Sequence, residues 1–308
     1  LKAAARRASR ALLWIRPPMS DDESGDEGCQ PLSRRLYEGQ PLRLGGCRLS
    51  PRAQQACVDV LERAYRDLTG ARALLQLSDT DAEAFAAADV PLVSETYGEL
   101  LPEGLLDLLW RVGAAPGSRF YDLGAGAGRA VLLAWLLGCR ATGVELARER
   151  WEASRQSLHR LASGDVLPVA GAASPLGFPE RAEGGLDFVC ADACGLDFTD
   201  ADVVLIASVM FPPCLMAKLT EVARCMRPGA VVISFKALAG PEFESLGTVT
   251  APTTWRSRTS WHVQTIAASR PSVGLPPKLR CCEATSEADR CAFQEPRPLT
   301  SPAVRVPG

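Results

Sequence analysis

Two carboxylates and three glycines carry the most specific chemical signal in this chain. Asp122 stands two positions before Gly124, Gly126 and Gly128 follow at alternate positions, and Glu145 comes 23 residues after Asp122. Glycine lets a backbone approach a ligand closely, and a carboxylate ending the next strand can accept from both hydroxyls of a ribose. That is equipment for a nucleotide-like cofactor. The dinucleotide fingerprint is G-x-G-x-x-G, with a pyrophosphate on the helix N-terminus. Here the spacing is G-x-G-x-G, and a carboxylate at Asp122 would repel a pyrophosphate. It suits a cofactor whose nearby group is a cation, and the ammonium of S-adenosylmethionine is such a group.

The elements around these residues read as a βαβ unit. Phe120 to Leu123 has the composition of a short buried strand. Helical composition runs from Arg129 to Gly138, where a helix C-terminus expects glycine. Ala141 to Val144 is a second strand that closes on Glu145, followed by a helix from about Leu146 to Leu161 with Trp151 and Leu158 as buried residues. Leu186 to Cys190 is a third strand, with Asp192 just beyond it. Asp202 to Ser208 is the most continuous apolar run and fits a central parallel strand. Met210 and Phe211 follow at its carboxyl end, the edge where ligands of open α/β sheets bind. A helix from Pro212 to about Met226 leads into a strand from Ala230 to Lys236. Leu246 to Pro252 and His262 to Ala268 are separated only by TTWRSRTSW. No crossover helix fits there, so this pair is expected as an antiparallel hairpin at the sheet edge.

Upstream, Ser50 to Leu77 is helical text with Ser50 as N-cap, Pro51 at the first position, and Val58, Leu61, Tyr65 and Leu68 on one face. Asp79 to Asp89 continues as a polar, alanine-rich helix or linker. In Val93 to Leu101, the run Tyr97-Gly98-Glu99 interrupts the apolar periodicity before a helix over Pro102 to Val112. An acid, an aromatic and a glycine together suggest a loop over a ligand.

The 308 residues, with a net charge of −2, imply no strong bulk attraction to nucleic acid or anionic membrane. No apolar run reaches the length of about 18 residues that spans a bilayer. Eleven cysteines, including Cys57, Cys139, Cys190 and Cys225, read as small buried hydrophobes in a reducing compartment. With two histidines and no second C-x-x-x-C to join Cys190 and Cys194, no zinc site is expected. Leu1 to Ile15 carries four basic residues, many alanines and no acid, a transit-peptide-like composition; Met19 is an alternative start. Ser20 to Gly28 is an acidic run, Ser163 to Gly185 reads as a flexible insertion, and the tail from Arg270 to Gly308 is rich in proline. The expected organisation is a disordered or leader segment over 1–49, a helical extension over 50–92, a catalytic domain over 93–269 and a disordered tail over 270–308.

Parallel strands with helices and a terminal antiparallel hairpin form the layout of the class I S-adenosylmethionine-dependent methyltransferases, a seven-stranded Rossmann-like α/β sheet. DLGAGAG over Asp122 to Gly128 and GVE over Gly143 to Glu145 resemble that superfamily's first two motifs. Within it the chain is most similar to the Dot1 family of histone lysine methyltransferases, where a Y-G-E loop precedes V-D-L-G-S-G-V-G and then G-V-E. Here Tyr97-Gly98-Glu99, Tyr121 to Gly128 and Gly143 to Glu145 occur in the same order.

The resemblance implies that Asp122 lies near the methionyl part of S-adenosylmethionine, that Glu145 holds the ribose hydroxyls and that Asp192 bonds the adenine amino group. Tyr97 and Glu99 belong to the loop closing over the cofactor. Phe211 matches the second aromatic of the family's N-N-F-A-F stretch, which walls a lysine channel; Trp261 and Tyr97 are further candidates for that wall. Three departures stand out. The stretch reads Ala207 to Phe211 here, so Ser208 stands where an active-site asparagine is expected. The aromatic after the adenine-binding acid is Ala193, and the late tyrosine pair aligns with Trp261 and His262. The implied activity is transfer of methyl to a protein lysine, with a histone as candidate substrate, without strong direct nucleic-acid binding, in nucleus or cytoplasm. The rival readings are a methyltransferase of a non-histone protein or small molecule, and a cofactor-binding module without turnover.

Overall fold

A computed structural model describes residues 49–66, 78–88, 90, 98–162 and 185–268. The readings made for 1–48, for the 163–184 insertion, for the tail beyond 268, and for Tyr97 and Leu68 lie outside these residues. Seven strands form one sheet in the order β3-β2-β1-β4-β5-β7-β6. They are β1 (Arg119–Leu123), β2 (Arg140–Glu145), β3 (Leu186–Cys190), β4 (Val203–Ile206), β5 (Val231–Ser234), β6 (Phe243–Ala251) and β7 (Thr259–Ile266). The first five are parallel, whereas β7 runs antiparallel to β5 and to β6. The sheet and its terminal hairpin are therefore those expected.

The described helices are α1 (Pro51–Ala64), α2 (Asp79–Ala87), α3 (Pro102–Arg111), α4 (Arg129–Leu136), α5 (Arg148–Ala162) and α6 (Pro213–Ala223). Strand alternation divides the core in two. Phe120, Ala141, Val203, Leu205, Val231 and Val263 pack with α1, α3, α4 and α5. Leu123, Val144, Val204, Ile206 and Val232 pack with Leu215, Leu219 and Val222 of α6. A sheet covered on both faces needs continuous apolar strands, which is why β4 and β5 are buried at every position. Gly143 of β2 allows α4 to lie close, since a Cβ there would fall 2.8 Å from Val131 Cγ2 and 3.0 Å from Ala125 Cβ.

Several boundaries differ from the sequence reading for local reasons. β4 stops at Ile206 because the Ser208 amide turns back to the Ile206 carbonyl at 2.8 Å. α5 begins at Arg148 rather than Leu146, since the Ala147 amide donates to Glu145 Oε1 at 2.9 Å and the Arg148 amide to Asp81 Oδ1 at 2.6 Å. Asp81 belongs to α2, where it also completes a capping box with Ser78. One side chain thus secures the starts of two helices. α1 begins as expected, with Ser50 accepting from the Ala53 amide, and ends at Tyr65. Its buried face is Cys57, Val60, Leu61 and Ala64, while Val58 is only half-buried. Cys57 and Cys139 are buried, and burial pushes both thiols up to about 12. Cys190 is exposed at the end of β3 and Cys225 half-buried after α6, so neither is the core residue expected.

Candidate cofactor and acceptor cleft

Strand order reverses between β1 and β4, so the chain leaves their carboxyl ends in opposite directions and a crevice opens there. A cavity of about 290 Å³ occupies that place. The turn after β1 forms its floor. Gly124, Gly126 and Gly128 all hold positive φ, at 87°, 56° and 82°, a conformation that side chains disfavour. At Gly124 a Cβ would also lie 2.9 Å from the Phe211 ring. Gly124 and Gly126 face the cavity. Gly128 does not. It is the N-cap of α4, its carbonyl accepting from the Leu132 amide at 3.0 Å while its own amide donates to the Ala125 carbonyl at 2.8 Å, and Phe188 and Ser154 press where a side chain would be. Gly128, expected beside the cofactor, is thus the glycine of the three that packs between Phe188 and Ser154.

Four of the acids picked from sequence line the cavity: Glu99, Asp122, Glu145 and Asp192. Glu145 is buried, and its Oε2 accepts from the Gly126 amide at 2.7 Å while Oε1 accepts from Ala147. Burial raises its pKa, opposed by the Arg150 guanidinium and by these two amides. Asp192 Oδ1 accepts from the Cys194 amide at 2.9 Å and so starts a short 3-10 turn, Ala193–Gly195. Asp122 is 4% exposed, and among the described residues its Oδ1 has no hydrogen-bond partner. Burial, with the negative charges of Glu145 and Glu99, pushes its pKa up to about 8.

Glu99 is held from two sides. Its carboxylate pairs with the Arg129 guanidinium at the start of α4. Its amide donates to Thr254 Oγ1 at 3.0 Å and its carbonyl accepts from the Thr254 amide at 2.9 Å. Arg129 also lies over the Tyr65 ring, 4.7 Å from the centroid. The loop before α3 is thereby tied to α4, to the end of α1 and to the β6–β7 turn. That turn brings in Trp255, which sequence reasoning passed over as part of a connection. Trp255 lines the cavity, and its ring lies so close over Gly98 that a Cβ there would enter it. Phe85, Val90 and Arg150 also line the cavity from outside the motifs, and α6 adds Leu215 and Leu219.

Two expected acceptor-channel residues are elsewhere. Trp261 is fully buried, packs edge-on against Phe235 at 6.1 Å, and joins the core under α3 rather than the cleft. Strand parity explains this: Trp261 and Val263 share the face of β7 that looks into that core. Ser208 is fully buried too, and its hydroxyl accepts from the Lys236 amide at 3.0 Å, linking the ends of β4 and β5. Phe211 does line the cleft, half-buried, and its carbonyl accepts from Lys236 Nζ at 2.6 Å. Among the described residues no three His, Cys, Asp or Glu side chains are grouped to hold a metal ion.

The sheet order, the switch-point crevice and the acid-lined glycine turn define an α/β protein with the seven-stranded layout of the methyltransferase-like class. A profile of the family described as histone methylation protein DOT1 matches residues 90–273, more than half of the chain, and the chain belongs to that family. A histone-lysine N-methyltransferase, H3 lysine-79 specific, of Candida albicans is 28% identical over 158 residues, which are 49% of this chain and 11% of that protein. Its counterpart in Kluyveromyces lactis is 29% identical over 154 residues, 48% of this chain and 25% of that protein. The chain therefore spans a quarter or less of the length of these two relatives. Among solved structures, an RNA methyltransferase from Salinibacter ruber in complex with S-adenosyl-L-homocysteine aligns at 18% identity with a TM-score of 0.34, covering 65% of this chain and 98% of that one.

Proposed function

We propose that the chain is an S-adenosylmethionine-dependent methyltransferase acting on a protein lysine. The observation that carries this reading is the orphaned Oδ1 of Asp122, buried on the cavity wall beside the glycine turn. A buried acceptor without a donor costs on the order of 1–3 kcal/mol, and a ligand ammonium supplies the missing donor and counter-charge together. Glu145 fits a ribose, because each carboxylate oxygen keeps acceptor capacity beyond its one backbone amide. Asp192, among Ala191, Ala193, Leu215 and Val90, fits a flat apolar ring with a polar edge.

When bound, the cofactor supplies an electrophilic methyl group on a sulfonium whose departure leaves a neutral sulfide. The protein's part is alignment and dehydration. Alignment contributes up to about 7–11 kcal/mol in ideal cases. Phe211 and Trp255 form the aromatic side of the cleft, and a lysine ammonium between them loses hydration. That lowers its pKa and favours the neutral amine that can attack. Glu99, strapped to the β6–β7 turn and to Arg129, holds the loop that excludes water.

The names of the relatives make a histone in the nucleus the first substrate to test. Ser208 favours a second reading, a lysine on another protein. Its buried hydroxyl is engaged with the Lys236 amide, and no amide side chain stands at that position. Transfer of labelled methyl to nucleosomes and to whole-cell extract decides between them. We expect labelling of lysine in the extract to exceed that of nucleosomes. Efficient labelling of a histone lysine reverses the order, and labelling confined to small molecules rejects protein lysine altogether.

A further inference from the structure

Trp255 is the one exposed large hydrophobic side chain among the described residues, at 38%. It is held rigidly. The Thr253 amide donates to the Arg256 carbonyl at 2.8 Å, the Arg256 amide donates to Thr253 Oγ1 at 3.2 Å, and the buried Thr253 hydroxyl meets Thr259 Oγ1 at 3.1 Å. The turn therefore presents Trp255, Arg256, Ser257 and Arg258 outward in a set arrangement, all four exposed. Arg111, Arg119, Arg148 and Arg224 each pair with a carboxylate. Among the described residues no carboxylate pairs with Arg256 or Arg258.

Arg256 and Arg258 follow the wall residue Trp255 in this exposed turn, and half-buried Lys236 adds a third cation, its Nζ donating to the Phe211 carbonyl. A lysine approaching Phe211 and Trp255 thus meets a rim of its own charge. Such a rim repels a bare cation and attracts one that arrives with carboxylates beside it. We propose that the β6–β7 turn is the substrate-docking surface, and that it selects an acceptor lysine flanked by aspartate or glutamate. Nucleic acid fits less well, because phosphate binding draws on a broad basic face, whereas the net charge of this chain is −2. The proposal rests on the lysine reading above for the direction from which the acceptor enters.

The test is fluorescence anisotropy with short labelled peptides carrying one central lysine flanked by aspartate, by serine or by arginine. The proteins compared are the unaltered chain and the double variant Arg256→Glu, Arg258→Glu. Two exposed charge pairs predict that the aspartate peptide binds about fivefold more tightly than the serine peptide at low salt. The arginine peptide is expected to be weakest. The double variant reverses this order without changing thermal midpoint or cofactor affinity. Equal affinities for the three peptides, an order that survives charge reversal, or displacement of the aspartate peptide by equimolar duplex DNA would each overturn the proposal. A correct binding order without methyl transfer to any peptide supports the docking surface and rejects the lysine-transfer reading instead.

Discussion

The hydroxyl of Tyr65 donates to the carbonyl of Ala127 at 2.7 Å, joining the end of α1 to the glycine turn across 62 residues of sequence. The same ring lies under Arg129, which pairs with Glu99. The helix upstream of the sheet is thus part of the cleft's support, not a separate appendage. Tyr65→Phe keeps the ring under the guanidinium and removes only the hydroxyl. It is expected to cost about 1 kcal/mol of stability and to weaken S-adenosylmethionine binding several-fold. Thermal denaturation and calorimetric titration check both, and an unchanged cofactor affinity would confine Tyr65 to packing.

Asp122 makes the cleft sensitive to pH. Its folded-state value of about 8 lies above the usual carboxylate value, so between about pH 4 and 8 the folded state holds a proton that the unfolded chain has released. Stability from this group is therefore greatest below pH 4 and declines as pH rises toward 8. Asp122→Asn should flatten that decline and raise the melting temperature of the ligand-free protein at pH 8. It should also weaken S-adenosylmethionine binding, because the cation loses its partner. In the unaltered chain, binding below pH 8 should release a proton, seen as a dependence of the calorimetric heat on buffer ionisation enthalpy. Absence of that release in the unaltered chain would show that no cation meets Asp122.

Phe211 and Glu99 differ in what they support. Phe211 walls the cleft against Gly124, while Glu99 is fixed in the loop by Arg129 and Thr254. Phe211→Ala is expected to lower kcat far more than cofactor affinity, and Glu99→Ala to lower both. Steady-state kinetics with equilibrium dialysis of the cofactor separates the two, and equal losses of affinity in both variants would contradict these roles.

Trp261 should behave as core. Trp261→Ala is expected to cost about 3–5 kcal/mol of stability, while any folded fraction retains cofactor affinity. Chemical denaturation measures the first and titration at low temperature the second. A stable Trp261→Ala protein with lost turnover would return Trp261 to the acceptor channel.

The different standing of these residues shows what a linear text can carry. β1, the glycine turn, β2 and Glu145 form a contiguous unit whose composition and spacing specify it, so Asp122, Gly124, Gly126 and Glu145 were legible. The β6–β7 hairpin was legible because nine residues cannot hold a crossover. Which face of β7 looks inward was not, because it depends on pairing and on the register shift between Ser245 and Gly247 in β6. The family resemblance puts Trp261 at the acceptor wall, and only the pairing of β7 shows it facing the core, while Trp255 reads in sequence as part of a connection. Tyr65 appeared as one apolar position in a helix, and nothing in its neighbourhood signals a bond to Ala127. Arg129 opens a helix with no periodic mark of its pairing to Glu99.

The unpartnered Oδ1 of Asp122 also bears on how long such a chain survives in a cell. A fold with an uncompensated acceptor in its wall is least stable when empty, and a ligand that supplies the partner stabilises it by RT ln(1 + [L]/Kd). Proteases sample the unfolded fraction, so abundance follows occupancy. Starving cells of methionine should then shorten the half-life of this protein, an effect that Asp122→Asn abolishes because that variant binds the cofactor too poorly for occupancy to stabilise it.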